Sequence, residues 1–121
     1  MSVIPILRLF DEGATRRFYF DFLGFRYGFE YRHAPDLPLY MGVAFRDAQL
    51  HFSQHYGDCC PGGHVRLHCP GLVGFQEALL AQAFGFARPG PPVLQPWGFL
   101  ELTLTDPAGN RLTFTEPETA G

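Results

Sequence analysis

The pattern of apolar and polar residues predicts the same series of elements in each half of the chain. In the first half, a β-prone segment at residues 3–10 precedes a helix that Asp11 can cap and that ends at Gly24. The helix has apolar residues at helical spacing, namely Ala14, Phe18, Phe22 and Leu23. Three further strands are predicted at residues 26–33, 40–46 and 49–55, and a short turn at Asp47-Ala48 joins the last two.

The second half repeats this order. A strand at residues 64–69 precedes a helix that ends at Gly85-Phe86 and whose apolar face carries Leu72, Phe75, Leu79 and Ala83. A proline-rich loop at residues 88–92 leads to a weakly marked strand at 93–95. Two clearer strands follow, at residues 97–105 and 111–116, joined by the turn sequence DPAGN at residues 106–110.

The repetition predicts an α+β fold built from tandem βαβββ modules. The helix-ending residues Gly24 and Gly85 lie 61 positions apart, about half the chain. We place the first module at about residues 3–56 and the second at about 63–117, within one domain of residues 1–121. Each module is expected to form a curved mixed sheet with its helix outside, so that the sheets enclose a cavity.

Two predicted strands divide into a polar and an apolar face. Alternation places His51, Ser53 and His55 on one face of the strand at 49–55 and His64, Arg66 and His68 on one face of the strand at 64–69. The apolar faces, with Leu50, Phe52, Val65, Leu67 and Cys69, should pack under the helices. The polar faces are then directed either to water or to a ligand in the cavity.

The only tryptophan of the chain is predicted to begin the strand at residues 97–105. There it shares a face with Glu101, whereas Leu100, Leu102 and Leu104 form the core face. A large indole on a polar face is suited to be a flat wall for a planar ligand. The alternative is that Trp97 closes the end of the sheet or a dimer interface.

Composition narrows the class of protein. The chain has 121 residues, of which 46% are hydrophobic, 17% charged and 16% aromatic, which is typical of one globular domain with an aromatic-rich core. Its net charge of −3 argues against non-specific nucleic-acid binding. No apolar run approaches ~20 residues and no signal peptide is recognised. The odd number of cysteines, three, favours reduced thiols, and we expect a cytoplasmic protein.

Histidines on strands raise the alternative of a metal site. His51 and His64 are the candidates, because neutral imidazoles bind divalent metals. Two histidines four residues apart on one strand are separated by roughly 13 Å, too far to share an ion. The other interpretation is that these imidazoles are solvated or hydrogen-bonded in the cavity wall.

Three stretches of sequence resemble a known family. They are "IPILRLFDEGATRRFYFDFLGF", "PLYMGVAFRDAQLHFS" and "PWGFLELTLTDPAGNRLTF". Together they are similar to the glyoxalase and bleomycin-resistance superfamily, also called vicinal oxygen chelate proteins, and look closest to its antibiotic-binding resistance proteins. The resemblance implies a tandem βαβββ fold, in agreement with the duplication.

Within that superfamily the metal enzymes carry one ligand on the opening strand and one on a later strand of each half. The resemblance places these ligands at Ile4, His51, His64 and Thr113. Ile4 and Thr113 are not usual protein ligands, and a catalytic metal normally needs three. We therefore expect no catalytic residue and no cofactor. The alternative is a metal-dependent lyase or dioxygenase of the same superfamily that binds a divalent metal.

The resistance proteins imply a different activity, namely sequestration of a planar antibiotic by a homodimer without chemistry. By this resemblance Tyr40, Ser53, His55 and Trp97 line the groove. The polar strand faces add His51, His64, Arg66 and Glu101 to the expected ligand-binding residues. Because a buried cation at Arg66 would repel a cationic drug, this residue favours another planar or an anionic molecule. The expected partners are a small molecule, such as a bleomycin-type antibiotic, and a second copy of the chain.

Overall fold

The computed structural model describes residues 2–82, 84–85 and 88–118. The first half contains β1 (Ile6–Arg8), α1 (Glu12–Arg16), a π-helical continuation (Arg17–Phe22), β2 (Arg26–Tyr31), β3 (Tyr40–Phe45) and β4 (Ala48–Ser53). The second half contains β5 (His64–His68), α2 (Leu72–Ala81), β6 (Val93–Leu94), β7 (Phe99–Thr105) and β8 (Arg111–Pro117). The predicted α+β class and the repeated βαβββ order are confirmed.

The strands form two mixed sheets of four strands each. The first has the order β1-β4-β3-β2 and the second β5-β8-β7-β6. In each sheet the opening strand of the half runs parallel to the closing strand of the same half, and the remaining pairs are antiparallel. The two halves are thus built on one topology.

The chain separates into two compact units that nearly follow these halves. The first comprises the residues up to Gly63 together with Asp106–Asn110, and the second His64–Thr105 with the residues from Arg111 onward. None of the helices in the described part of the chain is long and apolar enough to cross a bilayer.

The first helix begins and ends where the sequence predicts. The side chain of Asp11 accepts a hydrogen bond from the Ala14 N–H at 2.9 Å, so it caps the helix. After α1 the helix widens, and the N–H of Leu23 donates to the carbonyl of Phe18 at 3.0 Å. Gly24, at φ 75°, then reverses the chain in the left-handed region.

The helical segment of the first unit packs on one face of its sheet. Tyr19 and Phe52 are fully buried, and their ring centroids lie 4.5 Å apart. Leu50, which shares the Phe52 face of β4, is also buried. As predicted, the apolar face of β4 therefore forms core, and His51 on the same strand points to the opposite face.

The second sheet is covered by α2 in the same way. The ring centroids of Phe75 in α2 and Phe114 in β8 lie 5.0 Å apart, and Leu67, Leu102, Leu104 and Leu112 are buried. The helix ends at Ala81, before its predicted end at Gly85-Phe86. Of that prediction, Ala83 and Phe86 lie outside the described residues.

The DPAGN sequence forms the predicted turn and also belongs to the first unit. Asp106 accepts the backbone N–H groups of Ala108 and Asn110 at Oδ1, at 2.9 and 2.8 Å. Its Oδ2 accepts the Tyr19 hydroxyl at 2.6 Å. The Asn110 amide donates to the Arg8 carbonyl at 2.8 Å. Asp106 and Asn110, which are both buried, therefore hold this turn against the first unit, whereas Pro107 and Gly109 between them are exposed.

Two turns differ from the prediction. The β3–β4 connection is Arg46-Asp47, one residue earlier than expected, with Arg46 at φ 55°. The predicted position of Trp97 at the start of a strand was wrong, because β7 begins at Phe99. Trp97 instead lies in a tight hairpin turn, in which the Gly98 N–H donates to the Gln95 carbonyl at 2.9 Å.

Candidate functional site

The open face of the first sheet, opposite Phe52, is formed by side chains that strand pairing brings together. His51 pairs with Gly42 and Tyr40 with Ser53. Phe29 on β2 pairs with Gly42 from the other side. Paired residues share a face, so Phe29, Tyr40 and His51 converge over Gly42. We call these three residues the aromatic cluster.

The aromatic cluster is held by ring contacts and one hydrogen bond. The Tyr40 hydroxyl and His51 Nδ1 are 2.7 Å apart. The Phe29 and Tyr40 rings stack with centroids 6.2 Å apart, and Phe29 meets His51 edge-on at 5.2 Å. Phe29 is nevertheless 44% exposed. The cluster therefore presents an ordered apolar surface that is still accessible.

A β-bulge directs Phe29 to this face. The register of β2 against β3 shifts between Tyr27 and Phe29. Tyr27 consequently contacts Phe20 of the helical segment, with ring centroids 6.1 Å apart. Phe29 then falls on the opposite face with Tyr40 and His51. Sequence analysis did not identify Phe29 as a site residue.

Burial keeps the cluster uncharged around neutral pH. Partial burial lowers the pKa of His51 below its ordinary value, so the imidazole is neutral. Partial burial raises the pKa of Tyr40, and Asp58 and Cys59 raise it further through the negative charge that each carries when ionised. A neutral phenol and a neutral imidazole form a surface suited to an apolar, aromatic ligand.

Ser53 and His55 lie next to the cluster, at the end of β4. Ser53 is fully buried, and its hydroxyl donates to Asp58 at 2.6 Å while accepting the His55 N–H at 3.0 Å. It is thus engaged within the loop. The His55 ring is half-buried and lies 6.4 Å from the His33 ring.

A buried arginine orders the same loop. Arg8, on β1, donates to the carbonyls of Ser53, His55 and Tyr56 at 3.1, 3.0 and 3.2 Å, and also to the carbonyl of Cys59. Its guanidinium therefore donates to four backbone carbonyls of one loop, two of which, those of Ser53 and His55, also accept a backbone N–H. These hydrogen bonds hold the loop that follows β4 to the side chain of a β1 residue.

In the second unit Trp97 is joined to two other predicted residues. The indole Nε1 donates to Glu101 Oε2 at 3.0 Å, and Arg66 forms an ion pair with the same carboxylate oxygen. We call Arg66, Trp97 and Glu101 the Glu101 cluster. Trp97 is 60% exposed and Arg66 half-exposed, whereas the Glu101 side chain is largely covered. The carboxylate thus anchors a projecting indole.

The pKa of Glu101 reflects this arrangement. Desolvation raises it, but the hydrogen bonds from Trp97 and Arg66 and the positive charge of Arg66 together outweigh desolvation. The pKa therefore lies below its ordinary value, and the carboxylate is ionised at neutral pH. The sequence interpretation treated Arg66 as a buried cation. It is instead half-exposed and paired.

His64 belongs to a separate chain of hydrogen bonds on the same sheet. Its Nε2 lies 2.7 Å from the Thr113 hydroxyl, which in turn lies 2.8 Å from the Thr103 hydroxyl. Thr113 is buried and Thr103 exposed.

Of the predicted residues, then, Tyr40 and His51 contact each other, and Arg66, Trp97 and Glu101 form a second group.

The residues at the family's metal-ligand positions do not fit a metal. Ile4 has no donor atom, and the Thr113 hydroxyl is already shared between His64 and Thr103. Among the described residues, no group of three His, Cys, Asp or Glu side chains is placed to hold an ion. Since the common catalytic sites use three such donors, we derive no chemistry through a metal here.

Two of the solved structures that this chain resembles are proteins named for bleomycin. A bleomycin-binding protein solved in complex with bleomycin is 26% identical, with 98% of this chain and 99% of that chain covered and a TM-score of 0.74. A bleomycin resistance determinant encoded on the transposon Tn5 is 25% identical, with the same coverages and a TM-score of 0.75.

A third structure shares the fold. TnmS3, an antibiotic-binding protein from Streptomyces sp. CB03234, is 18% identical over 95% of this chain and 93% of its own, with a TM-score of 0.73. No curated protein sequence matches significantly. The model of a family described as glyoxalase superfamily protein matches residues 1–121, the entire chain. The chain therefore belongs to the glyoxalase/bleomycin-resistance superfamily, as its motifs predicted.

Proposed function

We propose that this protein binds a planar small molecule, such as an antibiotic, and sequesters it without chemical change. Binding would use stacking and the burial of apolar area on the open faces of the sheets, assisted by hydrogen bonds between the ligand and His and Glu side chains. The proposed ligand-binding residues are those of the aromatic cluster and the Glu101 cluster, together with His55 and His64. Ser53 would contribute by shaping the loop after β4.

The observation that carries the proposal is the placement of Trp97. Its indole lies on a tight turn, tethered at Nε1 by Glu101, and 60% of the residue is exposed. A side chain that only filled core would be covered. An indole that is fixed in orientation and open on its surface has the properties of a stacking platform.

The aromatic cluster supports the same function independently. Its rings are ordered by mutual contacts, its titratable groups are neutral, and Phe29 remains accessible. The names of two relatives, a bleomycin-binding protein and a bleomycin resistance determinant, indicate antibiotic binding in proteins of this fold. Bleomycin or another planar antibiotic is therefore the first ligand to test.

We also propose that the protein acts in the cytoplasm as a homodimer. The strands β2 and β6 are sheet edges, and Tyr27, Phe29, Tyr31, Val93 and Leu94 are exposed on them. A second copy could cover such edges. Light scattering at micromolar concentration tests this, and a strictly monomeric protein would contradict it.

A thermal-shift screen with bleomycin-type drugs, other planar antibiotics and divalent metals tests the function. A ligand that binds the folded state raises the midpoint by mass action. Trp97→Ala should weaken binding by a few kcal/mol, about the cost of losing a well-packed aromatic anchor, while the unliganded midpoint changes little. Val73→Ala, at an exposed apolar residue of α2, is the control and should leave binding unchanged.

Two results would count against this function. If Trp97→Ala lowers stability strongly but leaves binding intact, Trp97 is structural. If only a divalent metal shifts the midpoint, and the shift is lost in His51→Ala, the metal-dependent enzyme is the better interpretation.

A further inference from the structure

The open face of the second sheet is richer in cations than in carboxylates. His64 and Arg66 lie two positions apart on β5 and so share one face. Strand pairing places Arg111 beside His64, so Arg111 and Arg66 are on this face together. On strands β5 to β8 the carboxylates are Glu101 and Glu116, and Glu116 is directed to the start of α2. Glu101 is thus the only strand carboxylate opposing the two guanidinium groups on this face.

The hydroxyl of Thr115, which pairs with Glu101 across β7 and β8, has no hydrogen-bond partner among the described residues. Thr115 pairs with His68 on one side and Glu101 on the other. It is only 7% exposed, and its Oγ1 is fully buried with no hydrogen-bond partner among the described residues. A buried hydroxyl without a partner is uncommon, because desolvation is not offset. This hydroxyl can therefore donate to an acceptor such as a ligand oxygen.

Arg66 retains donors beyond its contact with Glu101. A guanidinium has five N–H groups in a planar fork, and Nη2 makes the contact with Glu101. The side chain is half-exposed, so a carboxylate from solvent can reach it. Glu101 meanwhile orients the Trp97 indole, so a planar surface and a cation are fixed against the same carboxylate.

Extending the proposed function, on which this step rests, we infer that the second sheet binds a planar ligand carrying an anionic group, as in an aromatic carboxylate. The ring would stack on Trp97, and the carboxylate would accept hydrogen bonds from Arg66. The Thr115 hydroxyl is covered, so a ligand oxygen that displaced the covering side chains between His68 and Glu101 would also satisfy it. The excess of cations on this face favours an anion over a cation.

The test uses three probes that share the naphthalene ring system and differ in charge: 2-naphthoate, 2-naphthamide and 2-naphthylmethylammonium. Trp97 is the only tryptophan, so its fluorescence reports binding at this face. We expect 2-naphthoate to bind about tenfold more tightly than 2-naphthamide, as a charge-assisted hydrogen bond provides, and the ammonium probe to bind most weakly.

Variants assign the preference to particular groups. Arg66→Gln should abolish the advantage of 2-naphthoate. Thr115→Val should lower the affinity for both 2-naphthoate and 2-naphthamide, since each has an oxygen that can accept from the hydroxyl. Glu101→Gln keeps an oxygen for Trp97 but removes the negative charge, so it should tighten 2-naphthoate binding. Arg111→Gln, which removes an equal charge from a different part of the face, is the matched control: it should weaken 2-naphthoate binding less than Arg66→Gln does and should keep most of the preference.

Equal binding of the three probes, or preference for the ammonium probe, would overturn the inference and leave the proposed function standing. An equal loss of 2-naphthoate affinity in Arg66→Gln and Arg111→Gln would also overturn it, since attraction would then be non-specific. If no probe binds, the inference fails. The thermal-shift screen then decides the proposed function separately: stabilisation by a planar antibiotic retains it, and no stabilisation rejects it.

Discussion

The Phe29 ring occupies the space above Gly42 that a side chain would fill: a β-carbon added to Gly42 would come within 2.3 Å of the ring. The two residues are paired across β2 and β3. An aromatic ring laid over a strand glycine is a known way of stabilising a sheet. In this protein it also fixes one wall of the aromatic cluster, so the absence of a side chain at residue 42 is part of the site.

Gly42→Ala should therefore displace Phe29. We expect a loss of about 1–3 kcal/mol in the free energy of unfolding, typical of overpacking, together with weaker binding of any ligand that uses the cluster. Denaturant titration and a binding assay measure the two effects. Gly74→Ala in α2, where an added β-carbon meets open space, is the control. It should stabilise the helix by about 0.5–1 kcal/mol. Unchanged stability and binding in Gly42→Ala would mean that Phe29 adjusts freely.

His51 makes stability depend on pH. Because burial lowers its pKa in the folded state, the unfolded chain takes up the proton first as the pH falls. The contribution of His51 is fully present above the ordinary histidine pKa of about 6.5. It is lost progressively below that value, until the folded state is protonated as well.

The measurement is the thermal midpoint of the protein and of His51→Gln between pH 5 and 8. The thermal midpoint of the unaltered protein should fall as the pH is lowered, and this fall should be smaller in His51→Gln. His68→Gln, at an exposed histidine on β5, should retain the whole decline. Parallel curves for the protein and His51→Gln would refute the role of His51.

The buried hydrogen bond between Tyr19 and Asp106 should contribute more to the free energy of unfolding than an exposed hydrogen bond of the same kind. Burial raises the pKa of Tyr19 well above its ordinary value, and the negative charge of Asp106 and the hydrogen bond between them add to this effect. The phenol therefore stays protonated and donates to Asp106 at 2.6 Å. Tyr19→Phe removes a donor from a buried carboxylate and should cost about 1–3 kcal/mol of unfolding free energy.

Tyr27→Phe is a matched control for this substitution. Tyr27 also donates to a carboxylate, that of Glu30 at 3.2 Å, but it is exposed. Denaturant titration should give a change within about 0.5 kcal/mol for Tyr27→Phe. Similar losses in the two variants would show that burial does not set the strength of the Tyr19 hydrogen bond.

Most of the fold could be predicted because its signals are local. Alternation marks the strands, helical spacing and Asp11 mark the first helix, and the DPAGN turn has favourable residues throughout. The alternating pattern predicts a strand from Trp97 because it continues through Gly98. Gly98 adopts φ 90°, and the turn that it closes takes precedence over the alternating pattern.

The site was less predictable because it depends on register. Arg66 and Glu101 are 35 positions apart, and only the pairing of β5, β8 and β7 brings them together. Phe29 reaches its face through a bulge, which breaks the period of two on which sequence reasoning relies. The alternation of β4 and β5 did place His51 and Arg66 on the open faces of their strands, since a regular strand keeps its faces separate.

Glu116 provides the last prediction, because α2 lacks an N-cap side chain of its own. Gly71 occupies the cap position at φ 79°, and no side chain of the helix accepts its first N–H groups. The carboxylate of Glu116, on β8, accepts the N–H of Gly71 at 2.9 Å and that of Leu72 at 3.1 Å. It thus caps the helix from a strand 44 or more positions away, and its negative charge also suits a helix N-terminus.

Glu116→Ala should therefore cost about 0.5–2 kcal/mol of unfolding free energy, as loss of an N-cap does. Glu116→Gln, which keeps an acceptor but not the charge, should cost less. Glu77→Gln removes an exposed carboxylate from the interior of the same helix and should have little effect. Denaturant titration measures the order of the three variants, and hydrogen exchange of the Gly71 and Leu72 amides reports the cap directly. Exchange that is no faster in Glu116→Ala, with unchanged stability, would show that water caps the helix equally well.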